Sequence, residues 1–156
     1  MIRVEADELT YNLHIMLRFE IEQDVIEGRT RVEDLPSVWN EKVKTYLGLV
    51  PPSDAEGVLQ DVHWSFGAFG YFPTYTLGNL YAAQLYEQVQ KEVQNLDAEI
   101  EAGRLTVLTK WLNQKIHRWG RMFTAEHLMQ RVTGRPLSPE PFLLHLEKKY
   151  GELYRL

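Results

Sequence analysis

The sequence predicts an all-α protein of six to eight helices. Apolar residues recur at three- and four-residue spacing through most of the chain. No segment alternates with the period of two that a half-buried strand requires. Glycines stand just past several periodic runs, at 28, 48, 103 and 134, where helices characteristically stop.

The first segment, "EADELTYNLHIMLRFEIEQDVIEG", reads as one long helix. Leu9, Leu13, Leu17 and Ile21 recur every fourth residue, and Tyr11, Ile15, Phe19 and Ile26 form a second apolar stripe. Two stripes describe a helix covered on more than one side. A helix of about 22 residues is about 33 Å long, and its neighbours must be long too. It opens almost at Met1, with little room for a cap, and that unusual start suggests polypeptide upstream.

"DLPSVWNEKVKTYLG" is a second helix with Trp39, Val43, Tyr46 and Leu47 on its apolar face. A Pro-bearing loop, "LVPPSDAEG", leads into "GVLQDVHWSFGAFGYFP", where an amide, a carboxylate, an imidazole and an indole precede a glycine-punctuated aromatic run. From about Tyr75 the pattern is helical again. Gly78 lies inside this helix, at a cost of up to about 1 kcal/mol against Ala, which predicts close packing there. A short helix starts at Asp97, Thr106 caps a run ending near Gly120, and Thr124 caps one ending at Gly134. Ser138, Pro139 and Glu140 open the last helix with a capping hydroxyl and a proline at its first position.

The chain has 156 residues, 44% of them hydrophobic and 25% charged, which fits one soluble all-α domain over 1–156. Its formal net charge of -5 argues against a nucleic-acid partner. There is no cysteine, so disulfides and thiolate-bound metal are excluded, and a cytoplasmic location is expected. No apolar run approaches the length of a membrane span.

No catalytic engine is visible. The five histidines are His14, His63, His117, His127 and His145; none has a His, Asp or Glu three or four residues away, so H-E-x-x-H and E-x-x-H metal helices are absent. A P-loop lysine, a cysteine nucleophile and a G-x-S-x-G elbow are absent too. Gly67 and Gly70 lack the neighbours of a phosphate cradle and are expected to let backbone pass close to another surface.

What remains is recognition chemistry. Arg3 and Asp7 stand four apart, with Tyr11 and His14 continuing the same face; the plain reading is a salt bridge and two buried polar tips. Gln60, Asp61 and His63 read equally well as a hydrogen-bonded corner and as a pocket wall. Trp64, Phe66 and Phe69 are expected in the core. His117, His127 and His145 are expected to be ordinary helix residues.

"RVEADELTYNLHI", "GVLQDVHW" and "GYFPTYTLGNLYAAQL" closely resemble the carboxypeptidase Taq family of metallocarboxypeptidases. A Gly-x-x-Gln-Asp-x-His-Trp element is matched at Gly57, Gln60, Asp61, His63 and Trp64. The resemblance covers nearly the whole chain and places it as the C-terminal part of such an enzyme. It implies a long-helix, groove-bearing metallopeptidase fold, usually homodimeric, that removes single residues from peptide C-termini with a metal, usually zinc. The family's H-E-x-x-H, His-Pro-Phe and Asp-x-Arg-x-Thr motifs do not occur here. The implied catalytic residues are His63 and Tyr75, steadying the substrate or a developing oxyanion. The implied substrate-binding residues are Arg3, gripping a terminal carboxylate, with Gln60, Asp61 and Tyr71 shaping the wall. No metal ligand is expected in this chain.

Two functions follow as expectations. In one, the chain is a portion of a metallocarboxypeptidase, inactive until joined by the missing N-terminal catalytic portion. In the other, it is a non-catalytic helical module for peptide binding or assembly. Exposed apolar faces on the first helix predict self-association into a homo-oligomer.

Overall fold

The computed structural model describes residues 2–156. Among them are seven α-helices and no strand: α1 (Glu8–Ile26), α2 (Leu35–Leu47), α3 (Pro73–Glu92), α4 (Leu96–Glu101), α5 (Thr106–Lys115), α6 (Ala125–Thr133) and α7 (Glu140–Tyr154). The chain divides into two compact units, Met1–Leu77 and Gly78–Leu156, with the division falling inside α3.

In the first unit, α1 starts later than its apolar pattern suggests. Asp7 adopts extended backbone and accepts a hydrogen bond from the Thr10 amide at 2.8 Å. That satisfies a donor the first turn leaves open and fixes the helix start. Arg3 therefore lies outside α1, in a 3₁₀ turn over Arg3–Glu5. Its ion-pair partner is Asp61 rather than Asp7, which corrects the four-residue pairing expected from spacing.

The core of this unit joins Leu17 and Ile21 of α1 to Trp39 and Val43 of α2 and to Val58. The two stripes of α1 are not covered equally. Leu17, Ile21 and Ile15 are buried, but Leu9, Phe19 and Ile26 are exposed. In their place α1 buries His14, Arg18 and Glu22, spaced four apart along one line of the helix. This polar line docks the segment from Gly57 to Phe72. Arg18 holds Asp61, while Glu22 accepts the Trp64 indole N–H at 2.9 Å and the Gly70 amide at 3.1 Å.

Gly67 and Gly70 have φ of 82° and 77°, and a Cβ at either meets nothing within 4 Å. The requirement within this chain is left-handed backbone. Gly57 is the crowded one, where a Cβ would stand 3.1 Å from Pro51 Cβ. Trp64 packs against the core, but Phe66 and Phe69 are exposed, contrary to their expected burial.

The second unit is built around Val89, Leu96, Trp111 and Val132, with Leu85, Leu108 and Leu128 among the side chains packed against them. Thr124 caps α6 by accepting from the His127 amide. Thr106 is the first residue of α5 rather than its cap, and α5 stops at Lys115, before a 3₁₀ turn over His117–Trp119. α4 starts at Leu96, after Asn95 in left-handed backbone. A Cβ on Gly78 meets nothing within 4 Å, so the close packing expected there is not present.

Gln84 is 1% exposed and ties this unit together. Its amide nitrogen donates to Thr133 Oγ1 and to the Pro136 carbonyl, both at 3.0 Å, and its oxygen accepts from the Ser138 amide at 2.9 Å. Gln84→Leu is expected to cost about 2–3 kcal/mol, because it strands buried polar groups. The exposed Gln90→Ala should stay within about 0.5 kcal/mol. Urea denaturation of both variants checks this.

Candidate functional site

The segment between α2 and α3 cannot form a regular element, because Gly57, Gly67, Gly70 and Pro73 interrupt it. Its backbone is secured locally instead. The Gln60 amide donates to Gly57 O at 3.1 Å, the Ala68 amide to His63 O at 2.9 Å, and Ser65 Oγ to Val62 O at 2.7 Å. The Gln60 side chain donates to the Ala55 carbonyl and shapes the loop from within.

Asp61 stands between two guanidinium groups. Arg3 donates to its Oδ1 from Nε at 3.1 Å and from Nη2 at 2.8 Å. Arg18 donates to its Oδ2 from Nε at 2.6 Å. The Arg18 Nη1 donates to the His14 carbonyl at 2.7 Å, and the Arg3 Nη1 donates to the Tyr11 hydroxyl at 2.9 Å. Aromatic faces complete the enclosure: Arg18 lies 4.5 Å from the Trp39 ring centroid, and Arg3 lies 4.9 Å from that of Tyr75. Arg3 and Arg18 are both buried, an arrangement sustained by the carboxylate, the fork-shaped donors and the ring faces.

His63 lies beside this group. It is 9% exposed, and its ring centroid is 4.4 Å from that of Phe72. Its Nε2 is 3.1 Å from the Tyr75 hydroxyl. Tyr71 is about half exposed, with its ring centroid 5.7 Å from that of His63 and 5.5 Å from that of Tyr75. The structure thus brings Arg3, Asp61, His63, Tyr71 and Tyr75 together within the first unit, and leaves Gln60 supporting the loop. Sequence reasoning did not select Arg18, Tyr11 and Phe72 for this site. The available signal was the four-residue line His14–Arg18–Glu22, of which the sequence reading singled out only His14.

Burial alone would raise the Asp61 pKa; the hydrogen bonds from Arg3 and the charge of Arg18 outweigh it, and the carboxyl stays below its ordinary range. Burial lowers the pKa of Arg18, and Asp61 opposes that. Burial also acts to lower that of Arg3, but the Asp61 bond leaves it raised. His14 is pushed down to about 4 by burial and then by the charge of Arg18. The cluster therefore carries two cations and one anion around a neutral His14. Its donor set does not fit a divalent cation, since its one carboxylate is committed to two guanidiniums and His63 brings one imidazole. Among the described residues no group of three His, Cys, Asp or Glu is placed to hold a metal.

Asp61→Asn is expected to destabilise the chain by about 3–5 kcal/mol, because it leaves two buried guanidiniums facing each other. Chemical denaturation checks the loss. His14 gives a pH dependence. The unfolded chain protonates it near its ordinary value of about 6.5, whereas the folded chain resists protonation until about 4. Its contribution is complete above the higher value and is lost as pH falls toward the lower one. A loss on the order of 2 kcal/mol is expected across that window, and His14→Asn should flatten the slope.

Comparison with known proteins agrees with this architecture. The profile of the carboxypeptidase Taq (M32) metallopeptidases matches residues 1–150. Thermostable carboxypeptidase 1 of Thermus thermophilus is 49% identical over 154 residues, which are 99% of this chain and 30% of that protein. Carboxypeptidase 1 of Bacillus subtilis is 46% identical over 99% of this chain and 31% of its own length. The crystal structure of the M32 carboxypeptidase from Deinococcus radiodurans superposes with a TM-score of 0.95 at 43% identity, covering 99% of this chain and 31% of that one. The chain spans about 30% of the length of these relatives, matching their C-terminal portion. The match along nearly its whole length, in sequence and in fold, makes this chain a member of the carboxypeptidase Taq (M32) metallopeptidase family.

Proposed function

We propose that the chain supplies the substrate-binding wall of a metallocarboxypeptidase groove, and that hydrolysis requires a further polypeptide carrying the metal site. The observation that carries this reading is the charge imbalance around Asp61. Two buried guanidiniums share one carboxylate, and the surplus positive charge suits an anion such as a peptide's terminal carboxylate. The bonds to Asp61 and Tyr11 use three of the five N–H donors on Arg3. Two donors remain for such a ligand, and a planar fork presents donors that two carboxylate oxygens can accept. His63, Tyr71 and Tyr75 then line the path of the residues next to that carboxylate, where the metal-bearing polypeptide would act on the scissile bond. Zinc or another divalent cation would supply a polarised carbonyl and an activated water there.

The partners proposed are peptide C-termini and the metal-bearing polypeptide. Leu9, Met16, Phe19 and Ile26 expose apolar surface along α1. This supports docking of that polypeptide or, in its absence, of a second copy of the chain. Among the described residues no helix is long and apolar enough to cross a membrane.

Calorimetry with a tripeptide and its C-terminal amide tests the wall. The free carboxylate should bind at least about tenfold more tightly than the amide, the scale of a charge-assisted hydrogen bond. Arg3→Met should remove the difference. Equal binding of acid and amide to the unaltered chain sinks the reading. The purified chain with added zinc should release no amino acid from the tripeptide; release would show that it carries its own hydrolytic site.

A further inference from the structure

His63 is buried, and its Nδ1 is a buried nitrogen with no hydrogen-bond partner. Asp61 Oδ1 lies 3.8 Å from it, too far for a hydrogen bond but close enough to act on it electrostatically. The opposite nitrogen meets the Tyr75 hydroxyl at 3.1 Å. A neutral imidazole carries one N–H, so two arrangements are open. With the proton on Nε2, the ring donates to Tyr75, and a bare Nδ1 lone pair faces an ionised carboxylate across a space without water-accessible area. With the proton on Nδ1, the N–H dipole points at the carboxylate, and Nε2 accepts the Tyr75 proton.

The second arrangement directs the N–H at the carboxylate oxygen 3.8 Å away instead of setting a lone pair against it. Arg3 and Arg18 hold that carboxylate ionised and in place. Flanking rings limit rotation out of it: Phe72 at 4.4 Å, Tyr71 at 5.7 Å and Phe66 at 5.9 Å between centroids.

We infer that Asp61 locks His63 in its Nδ1–H tautomer, that His63 thereby claims the Tyr75 hydroxyl proton, and that Tyr75 presents its oxygen to the groove as an acceptor for a peptide N–H. His63 is then a positioning residue acting through Tyr75. In this arrangement neither side chain has a free N–H or O–H for a developing oxyanion, unlike the role the resemblance implies. The acceptor role of Tyr75 rests on the proposed groove wall.

Long-range ¹H–¹⁵N spectra of the ¹⁵N-labelled 156-residue chain at neutral pH read the tautomer directly. The His63 signals, assigned by their loss in His63→Gln, should show a protonated Nδ1 and a bare Nε2. In Tyr75→Phe the Nε2 resonance should shift while Nδ1 stays protonated. A protonated Nε2 in the unaltered chain, or an unmoved Nε2 in Tyr75→Phe, overturns the inference. Calorimetry with the tripeptide and its analogue N-methylated at the last amide reads the consequence. Methylation should weaken binding at least about fivefold in the unaltered chain, the scale of one hydrogen bond, and much less in Tyr75→Phe. Equal losses in both overturn the acceptor role. Failure of any peptide to bind defeats the groove wall, and the N–H preference with it, but leaves the tautomer to the spectrum.

Discussion

The first unit depends on one carboxylate held by two guanidiniums. Asp61 connects a turn before α1, the middle of α1 and the irregular segment after α2. A buried ion pair of this kind is weak evidence of net stability, since hydrophobic replacements often do as well. Its contribution is specificity. Each of the five bonds from Arg3 and Arg18 fixes a direction, three of them on Asp61 and one each on Tyr11 and the His14 carbonyl, and a polar cluster so connected admits few alternative packings. The aromatic faces of Tyr75, Trp39 and Phe72 shield the charges.

This explains why a long loop rich in glycine can be ordered without secondary structure. Its apolar anchors are Val58, Trp64 and Phe72, while Leu59, Val62 and Phe66 face outward. Its order comes from the polar line on α1, where Arg18 takes Asp61 and Glu22 takes Trp64 and Gly70. The second unit uses the same device on a smaller scale. Gln84 satisfies the turn between α6 and α7, and Glu92 accepts the Trp111 indole N–H at 2.8 Å while pairing with Lys115. In both units a buried polar side chain on a helix organises a turn that apolar packing leaves unspecified.

The helices were legible in the sequence because apolar periodicity and stop glycines are local signals. Gly48 and Gly134 end α2 and α6 in left-handed backbone as their positions suggest, and Thr124 caps α6. The start of α1 was misread because Asp7 caps it against the apolar pattern. The end of α5 was misread because Ile116 and Trp119 continue that pattern past Lys115. At the site, Gln60, Asp61 and His63 were legible as a polar cluster, and the bonds of Gln60 and Asp61 are those of a corner that fixes the loop. Arg18 was not legible, because an arginine amid a helix of mixed polarity reads as solvated until its partner, 43 residues away, is placed beside it. The exposure of Phe66 and Phe69 was hidden for the converse reason, since nothing local distinguishes a core aromatic from one facing outward.

The electrostatic constraint also orders the site chemically. Without Arg18, Asp61 would neutralise Arg3 one for one, and the turn at Arg3–Glu5 would offer an anion no net attraction. Without Asp61, two guanidiniums could not remain buried a few ångströms apart. The three together keep a single excess positive charge at a defined place, beside the His63 ring and the Tyr75 hydroxyl. His14 leaves that balance unchanged, since burial holds it neutral well below physiological pH. The same carboxylate that shares its oxygens between the arginines lies 3.8 Å from His63 Nδ1, so the proposed anion attraction and the proposed direction of the Tyr75 hydroxyl both depend on it. A substitution at Asp61 cannot separate them, whereas substitutions at Arg3 and Tyr75 can.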